Sequence, residues 1–353
     1  IGDYAFSSCS SLKQITIPSA VRLIGSSAFC GCCSLALITL PSSMTVIGDR
    51  TFSECTLLSQ LTIPSSVTSI GETPFVECTN LHSILVESEN TNYSSLDGVL
   101  FTKNFDTLIC YPPNKEGNTY VVPSLVAVIG DSAFANCKSL TQIVIPSSVT
   151  SIGCLAFSEC SSLAQITLPS SILSIGENAF SDCTALTKIA IPSSLKIIKK
   201  DIFTGCSSLT EVTIPSSILL IEDESFSNCN KLEAFVVDSN NMHYASLDGI
   251  LFTKDFRTLV RYPLNKEGTT YSVPSSVTSI GNKAFSRCKS LTQITLPSSV
   301  KSIGEYAFSN CTSLAQISIS ANVQVIGKCA FSRCILDSSI REELEKKFGD
   351  NIF

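Results

Sequence analysis

The sequence predicts a β-rich solenoid wound from one short unit, and three observations carry that expectation. "AFSSCSSLKQITIP" at Ala5–Pro18 returns as "AFSECSSLAQITLP" at Ala156–Pro169 and "AFSRCKSLTQITLP" at Ala284–Pro297. Aligned on the Ile of Ile-Gly, the unit recurs at 1, 24, 47 and 70, then 129, 152, 175, 198 and 221, then 280, 303 and 326, a usual step of 23. The two long steps, each of 59, carry nearly identical extra segments. One coil of this length cannot bury its own apolar face, but stacked coils can.

Each part of the unit has a physical reading. In Leu12, Ile15 and Ile17, followed by Pro18, period-two alternation turns the two Ile to one face and Gln14 and Thr16 to the other. Pro cannot donate to a ladder, so it ends the strand. A second apolar segment, V-x-x-I-G, is expected to turn at its Gly. A-F-x-x-C then brings Phe and Cys inward through a turn. The last apolar residues of the strands fall at 17, 40, 63, 86, 122, 145, 168, 191, 214, 237, 273, 296 and 319, which predicts a parallel sheet of about thirteen rungs.

The long steps each add 13 residues. "YSSLDGVLFTKNFDTLICYPPNKEGNTYVVPS" at 93–124 parallels "YASLDGILFTKDFRTLVRYPLNKEGTTYSVPS" at 244–275, 151 residues on. Asp97-Gly98 and Asp248-Gly249 are turn signals, and "VLFTKNFDTLICYP" reads as a two-stranded hairpin projecting from the coil. The tail, "DSSIREELEKKFG" at 337–349, reads as a helix capped by Ser339 and stopped by Gly349, covering the last rung. The expected organisation is a solenoid over 1–334, with related blocks at about 1–151 and 152–302, and a helical cap at 335–353.

Composition narrows the function classes. With 24 basic and 30 acidic residues the net charge is −6, which offers no basic footprint for nucleic acid. Hydrophobic residues make up 44%, too many for disorder, and no apolar run is long enough to insert in a membrane. The chain begins inside a repeat, with no signal peptide or membrane anchor in view.

The 23-residue unit resembles the BspA-like class of leucine-rich repeats. The likeness rests on "IGDYAFSSCSSLKQITIPSA", "SLDGVLFTKNFDTLICYP" and "NKEGNTYVVPS", and runs from Ile1 to Cys334. It implies a leucine-rich repeat solenoid, β-rich and α/β horseshoe-like. It also implies surface display in bacteria or anaerobic protists, and the Ser- and Cys-rich wording is similar to the trichomonad kind. The implied role is a surface antigen that adheres to host, matrix or microbial proteins, without catalysis or cofactor. The alternative is an intracellular scaffold of the same fold, partnered with cytoskeletal proteins.

Twelve of the 17 Cys occupy one repeat position, from Cys9 and Cys32 to Cys311 and Cys334. A stacked column of parallel side chains suits packing better than pairing, so these thiols are expected reduced and buried. Cys110, Cys154 and Cys329 break the column and are expected exposed. Cys30, Cys32 and Cys33 cluster without a nearby His or a second C-x-x-C, a poor metal site. His82 and His243 could be assembled with Ser and Asp into a triad on paper, but "PSS" is the turn of the repeat.

The candidate sites lie elsewhere. Gln14, Gln60, Gln142, Gln165, Gln293 and Gln316 share one outward strand position, and Thr16, Thr39, Thr62, Thr167, Thr213 and Thr295 the next. Such columns are expected to satisfy one another along the sheet. Leu37, Leu85, Val144, Lys188, Ala190, Glu211 and Val236 break the pattern and are the candidate protein-binding residues of the expected concave face. In the hairpins the differing residues Asn104, Asp106, Asp255, Arg257 and Arg261 are candidate docking points.

Overall fold

Alternation is what the strands need, and it is what they use. In Gln60–Ile63 and Glu211–Ile214 every second residue is buried and the others are exposed. The structure, a computed structural model, describes residues 1–353. The chain divides into two compact units: Ile1–Leu186 with Lys199–Cys206, and Thr187–Ile198 with Ser207–Phe353.

In the first unit the outward-facing column runs Gln14–Thr16, Leu37–Thr39, Gln60–Ile63, Ser83–Val86, Thr119–Val121, Gln142–Val144 and Gln165–Thr167. In the second it runs Lys188–Ala190, Glu211–Ile214, Ala234–Val237, Thr270–Ser272, Gln293–Thr295 and Gln316–Ser318. The strands pair in parallel with a strict one-repeat register, as in Gln142 with Gln165 and Ile143 with Ile166. Within each unit the column is hydrogen-bonded in segments of two or three strands rather than as one sheet. One break in each unit falls at the inserted segment.

A second column of two-residue strands follows each Pro-Ser turn, such as Leu23–Ile24 paired with Val46–Ile47. The second Ser of the turn has a defined job. Ser43, Ser66, Ser148 and Ser171 in the first unit, and Ser299 in the second, each donate to a backbone carbonyl of the preceding coil at 2.5–2.7 Å. The Ile-Gly glycines, expected to turn the chain, are not in the left-handed region. Gly48 is needed because a Cβ there would stand 2.5 Å from the Ser26 nitrogen of the coil below. The left-handed backbone sits instead at non-glycine residues of the next turn, such as Ser27, Arg50 and Glu54.

That turn builds the core. Phe6, Phe29, Phe52 and Phe75 stack with centroids 5.1–6.0 Å apart and near-parallel rings. The ladder thiols lie beside them and donate backward: Cys55 Sγ to the Phe29 carbonyl at 3.2 Å, Cys78 to Phe52 at 3.0 Å, Cys160 to Phe134 at 3.1 Å. In the second unit Cys311 donates to Phe285 at 3.0 Å. Ten of the twelve ladder Cys are buried; Cys9 in the first coil is exposed and Cys334 half-buried, and no disulfide joins any of them. Cys154 is exposed, as expected, and Cys329 half-buried. Cys110 is buried, against expectation, because its strand lies inside the body of the unit.

The inserts are hairpins, but they do not project as expected. Each is a three-stranded antiparallel meander: Tyr93–Leu96, Val99–Thr102 and Thr107–Cys110, and again Tyr244–Leu247, Ile250–Thr253 and Thr258–Arg261. The third strand joins the second column in parallel, Leu108 beside Ile129 and Leu259 beside Ile280. Leu100, Phe101, Leu251 and Phe252 are fully buried, so the insert is part of the coil wall. Between the first two strands, Asp97 and Gly98 have φ of 50° and 78°, the tight hairpin turn that the dipeptide announces.

A buried asparagine locks each insert. Asn90 Nδ2 donates to the carbonyls of Pro64 (2.8 Å) and Val67 (3.0 Å), and its Oδ1 accepts from the Asn92 and Tyr93 amides at 2.8 Å. Asn241 repeats the arrangement with Pro215, Ile218, His243 and Tyr244. The Tyr93 hydroxyl then accepts from the Ile70 amide at 2.8 Å, and Tyr244 does so from Ile221.

The tail forms helix α1, Ser338–Phe348, with Gly349 at its end. Its N-cap position is Asp337 rather than Ser339, and the Asp337 carboxylate accepts from the Gln316 side chain instead of capping. Beyond α1, the Cys329 and Phe331 amides donate to the carbonyls of Asn351 and Ile352, and Phe353 extends the aromatic column over Phe331.

Candidate functional site

Strand geometry places the pattern-breaking residues outward, because each is one residue from a buried Ile, Val or Phe. Leu37, Leu85 and Val144 in the first unit and Val236 in the second are 54%, 48%, 46% and 43% exposed, large apolar side chains at strand positions held mainly by Gln, Thr and Ser; Val121 beside Val144 is 66% exposed as well. Lys188, Ala190 and Glu211 are exposed on the same kind of face in the second unit. Lys188 and Glu211 are register partners on adjacent strands yet form no ion pair. The Gln columns do not bond among themselves; the one side-chain bond there runs from Gln316 to Asp337. Their amides are therefore left for water or a ligand.

In the first unit, where the column breaks between Leu37–Thr39 and Gln60–Ile63, a groove of about 320 Å³ opens. Leu37, Thr39, Gln60, Thr62 and Pro64 line it, with Glu87 at its edge. The Glu87 carboxylate accepts from the Ser65 amide at 2.7 Å, and that bond holds its proton affinity below the ordinary range. The groove thus joins an apolar side chain, several unused hydrogen-bonding groups and one fixed negative charge.

The hairpin candidates fall into two groups. Asn104 donates to Asp106 at 2.7 Å, and Thr102 and Thr107 also donate to that carboxylate. Asp255 accepts from Thr253 and from the Arg257 amide and stands 3.9 Å from the Arg257 guanidinium. These four residues are exposed, but they also hold the tip in shape, and Phe105 beneath packs on Phe101 at 5.0 Å. Arg261 is not at the tip. It points into a cleft in the wall of the second unit, where Nη1 donates to the Lys283 carbonyl at 2.8 Å.

His82, Ser83 and Asp97 border one open groove of the first unit, but no hydrogen bond links them. No three His, Cys, Asp or Glu side chains are grouped so as to hold a metal ion. No helix is long and apolar enough to cross a membrane. Sequence reasoning missed Asn90 and Asn241, which read as loop residues; the shared N-x-x-Y spacing before each insert was their one signal.

The family model described as a BspA type leucine rich repeat region matches residues 1–103, 127–247 and 265–353. A leucine rich cell surface protein of Faecalibacterium prausnitzii is 37% identical, with a TM-score of 0.65 over 68% of this chain. The chain spans 63% of the length of that protein. A leucine-rich repeat protein of Eubacterium ventriosum is 25% identical, with a TM-score of 0.58 over 96% of this chain and 81% of its own. No curated protein matches the chain.

Proposed function

The chain is a member of the BspA-type leucine-rich repeat family, and from that premise we propose that it is a non-catalytic protein-binding module displayed at a cell surface or secreted, where it adheres to host, matrix or microbial proteins. The observation that carries this reading is the set of large apolar side chains left in water on the strand face of each unit. Leu37, Leu85, Val144 and Val236 contribute nothing to the core there, and exposed apolar groups among polar neighbours favour burial against a partner. The groove beside Leu37 gives an anchor side chain somewhere to sit. The exposed tips at Asn104, Asp106, Asp255 and Arg257 supply further docking points. Surface display draws support from the Faecalibacterium prausnitzii relative, itself a cell surface protein.

A second reading, an intracellular scaffold, is favoured by one observation: no disulfide joins any of the Cys, a condition that reducing compartments maintain. Binding to a panel of immobilised matrix proteins tests the first reading. The variant carries Leu37→Gln, Leu85→Thr, Val144→Thr and Val236→Thr, which restore the residues found at equivalent strand positions. Retained folding with binding reduced at least tenfold is expected. Unchanged binding removes this face from the interaction.

A further inference from the structure

The two inserts descend from one sequence, yet the clefts beside them differ. In the first unit the space between the Thr73–Val76 turn and Cys110 is nearly closed, about 10 Å³. In the second unit the equivalent cleft holds about 150 Å³. Three of the residues that changed became charged: where the first unit has Thr73, Cys110 and Ser132, the second has Glu224, Arg261 and Lys283, while Asp223 keeps the acid that stands as Glu72. Drift on an open surface scatters such changes; here they face one cavity.

Their pairing is incomplete. Lys283 is ion-paired with Glu224 on one wall. Arg261 spends one N–H on the Lys283 carbonyl and forms no ion pair. Dense surroundings draw its guanidinium below the usual arginine range, with Glu224 and Asp223 among the groups pushing back. Asp223, exposed at the mouth, also has no ion-pair partner. A positive fork and an exposed carboxylate line the same cleft, together with the apolar Leu251 and Val260. With three acidic and two basic residues lining it, the cleft repels a multiply charged anion such as phosphate.

We infer that this cleft binds a small zwitterion of the α-amino acid class, its carboxylate held by Arg261 and its ammonium by Asp223. A guanidinium takes a carboxylate through two parallel N–H bonds. The ammonium then bridges toward Asp223, which joins the two charges that the protein leaves unpaired.

Saturation-transfer NMR and calorimetry on the full chain test this with alanine, N-acetylalanine and alaninamide. Alanine binds saturably at one site per chain. Removing either charge, from the ligand or by Arg261→Cys or Asp223→Asn, weakens binding about 10- to 100-fold, the effect of one lost charge-assisted hydrogen bond. Arg261→Cys restores the residue of the first unit, and Asp223→Asn lies at an exposed position, so at least one variant folds. No saturable binding of alanine at 50 mM overturns the inference. So does N-acetylalanine binding as well as alanine, which describes a plain anion site, or alanine binding unaffected by both substitutions.

Discussion

Replacing Asn90 with Leu removes four hydrogen bonds from a buried position while nearly preserving volume. Each buried bond is worth about 1 kcal/mol net, and orphaned partners cost more. The Pro64 carbonyl keeps one partner, the Val67 amide, so the expected loss is about 3 kcal/mol. For a unit of this size that corresponds to a fall in Tm of roughly 6–12 °C. The assay is urea unfolding followed by circular dichroism, with hydrogen exchange read on the peptide spanning 90–102. The exchange should accelerate there first, since Asn90 ties the start of the meander to the turn at Pro64–Val67. Asn90→Asp adds a pH signature. A carboxylate buried against two carbonyls has its folded pKa raised above its unfolded value, so the variant is least impaired below about pH 4 and worsens as pH rises. A loss under about 1 kcal/mol for Asn90→Leu, with unaltered exchange, would refute the locking role.

Other consequences are open to direct measurement. Thiol reagents on the native protein should label the exposed Cys9, Cys33 and Cys154 fast and the buried ladder Cys only after denaturation, when all 17 react; fast native labelling of Cys55 or Cys160 contradicts the packing. Burial pushes the Cys32 thiol up to about 11 and those of Cys110 and Cys288 up to about 12, from an ordinary value of 9.0. The stability they contribute as neutral thiols is therefore complete below about pH 9 and lost as pH climbs toward 12, which an alkaline melting series should record. Gly249→Ala should cost about 1–2 kcal/mol, because φ is +77° there and a Cβ would lie 2.9 Å from that of Ala234; an unshifted melt argues against the tight turn.

Much of this fold is legible in the sequence because the repeat forces it. Ile15 and Ile17 against Gln14 and Thr16 give the strand and its buried face, and Pro18 its end. Ile84 and Leu85, with His82 at the edge, follow the same rule. The misplaced residues share a cause: their setting is made by chain segments far from them. Cys110 and Arg261 read as the side of an exposed hairpin, and only the third-strand pairing with 128–129 and 279–280 shows that the hairpin lies in the wall. Asn90 is an ordinary polar loop residue until the carbonyls of Pro64 and Val67 come within reach. The Ile-Gly glycines invite a turn argument, whereas the crowding that requires them exists only once coils stack. The apolar interruptions at Leu37 and Val236 were visible, since a column that reads Gln and Thr makes each exception conspicuous.

The left-handed turn residues have a consequence for how such a protein can change. In each coil the residue two before the Phe of the A-F-x-x-C segment and the residue before its Cys adopt positive φ, and they are Tyr4, Arg50, Leu155, Glu159 or Lys283 as readily as Asn or Gly. None of these larger side chains favours that conformation, which costs about 1 kcal/mol or more at each. The array therefore carries a reserve that substitution by Asn or Gly can release one coil at a time, on an edge remote from the strand face. Stability can be raised or lowered by these positions while the exposed strand columns stay untouched, so the core and the outward strand face are free to diverge independently.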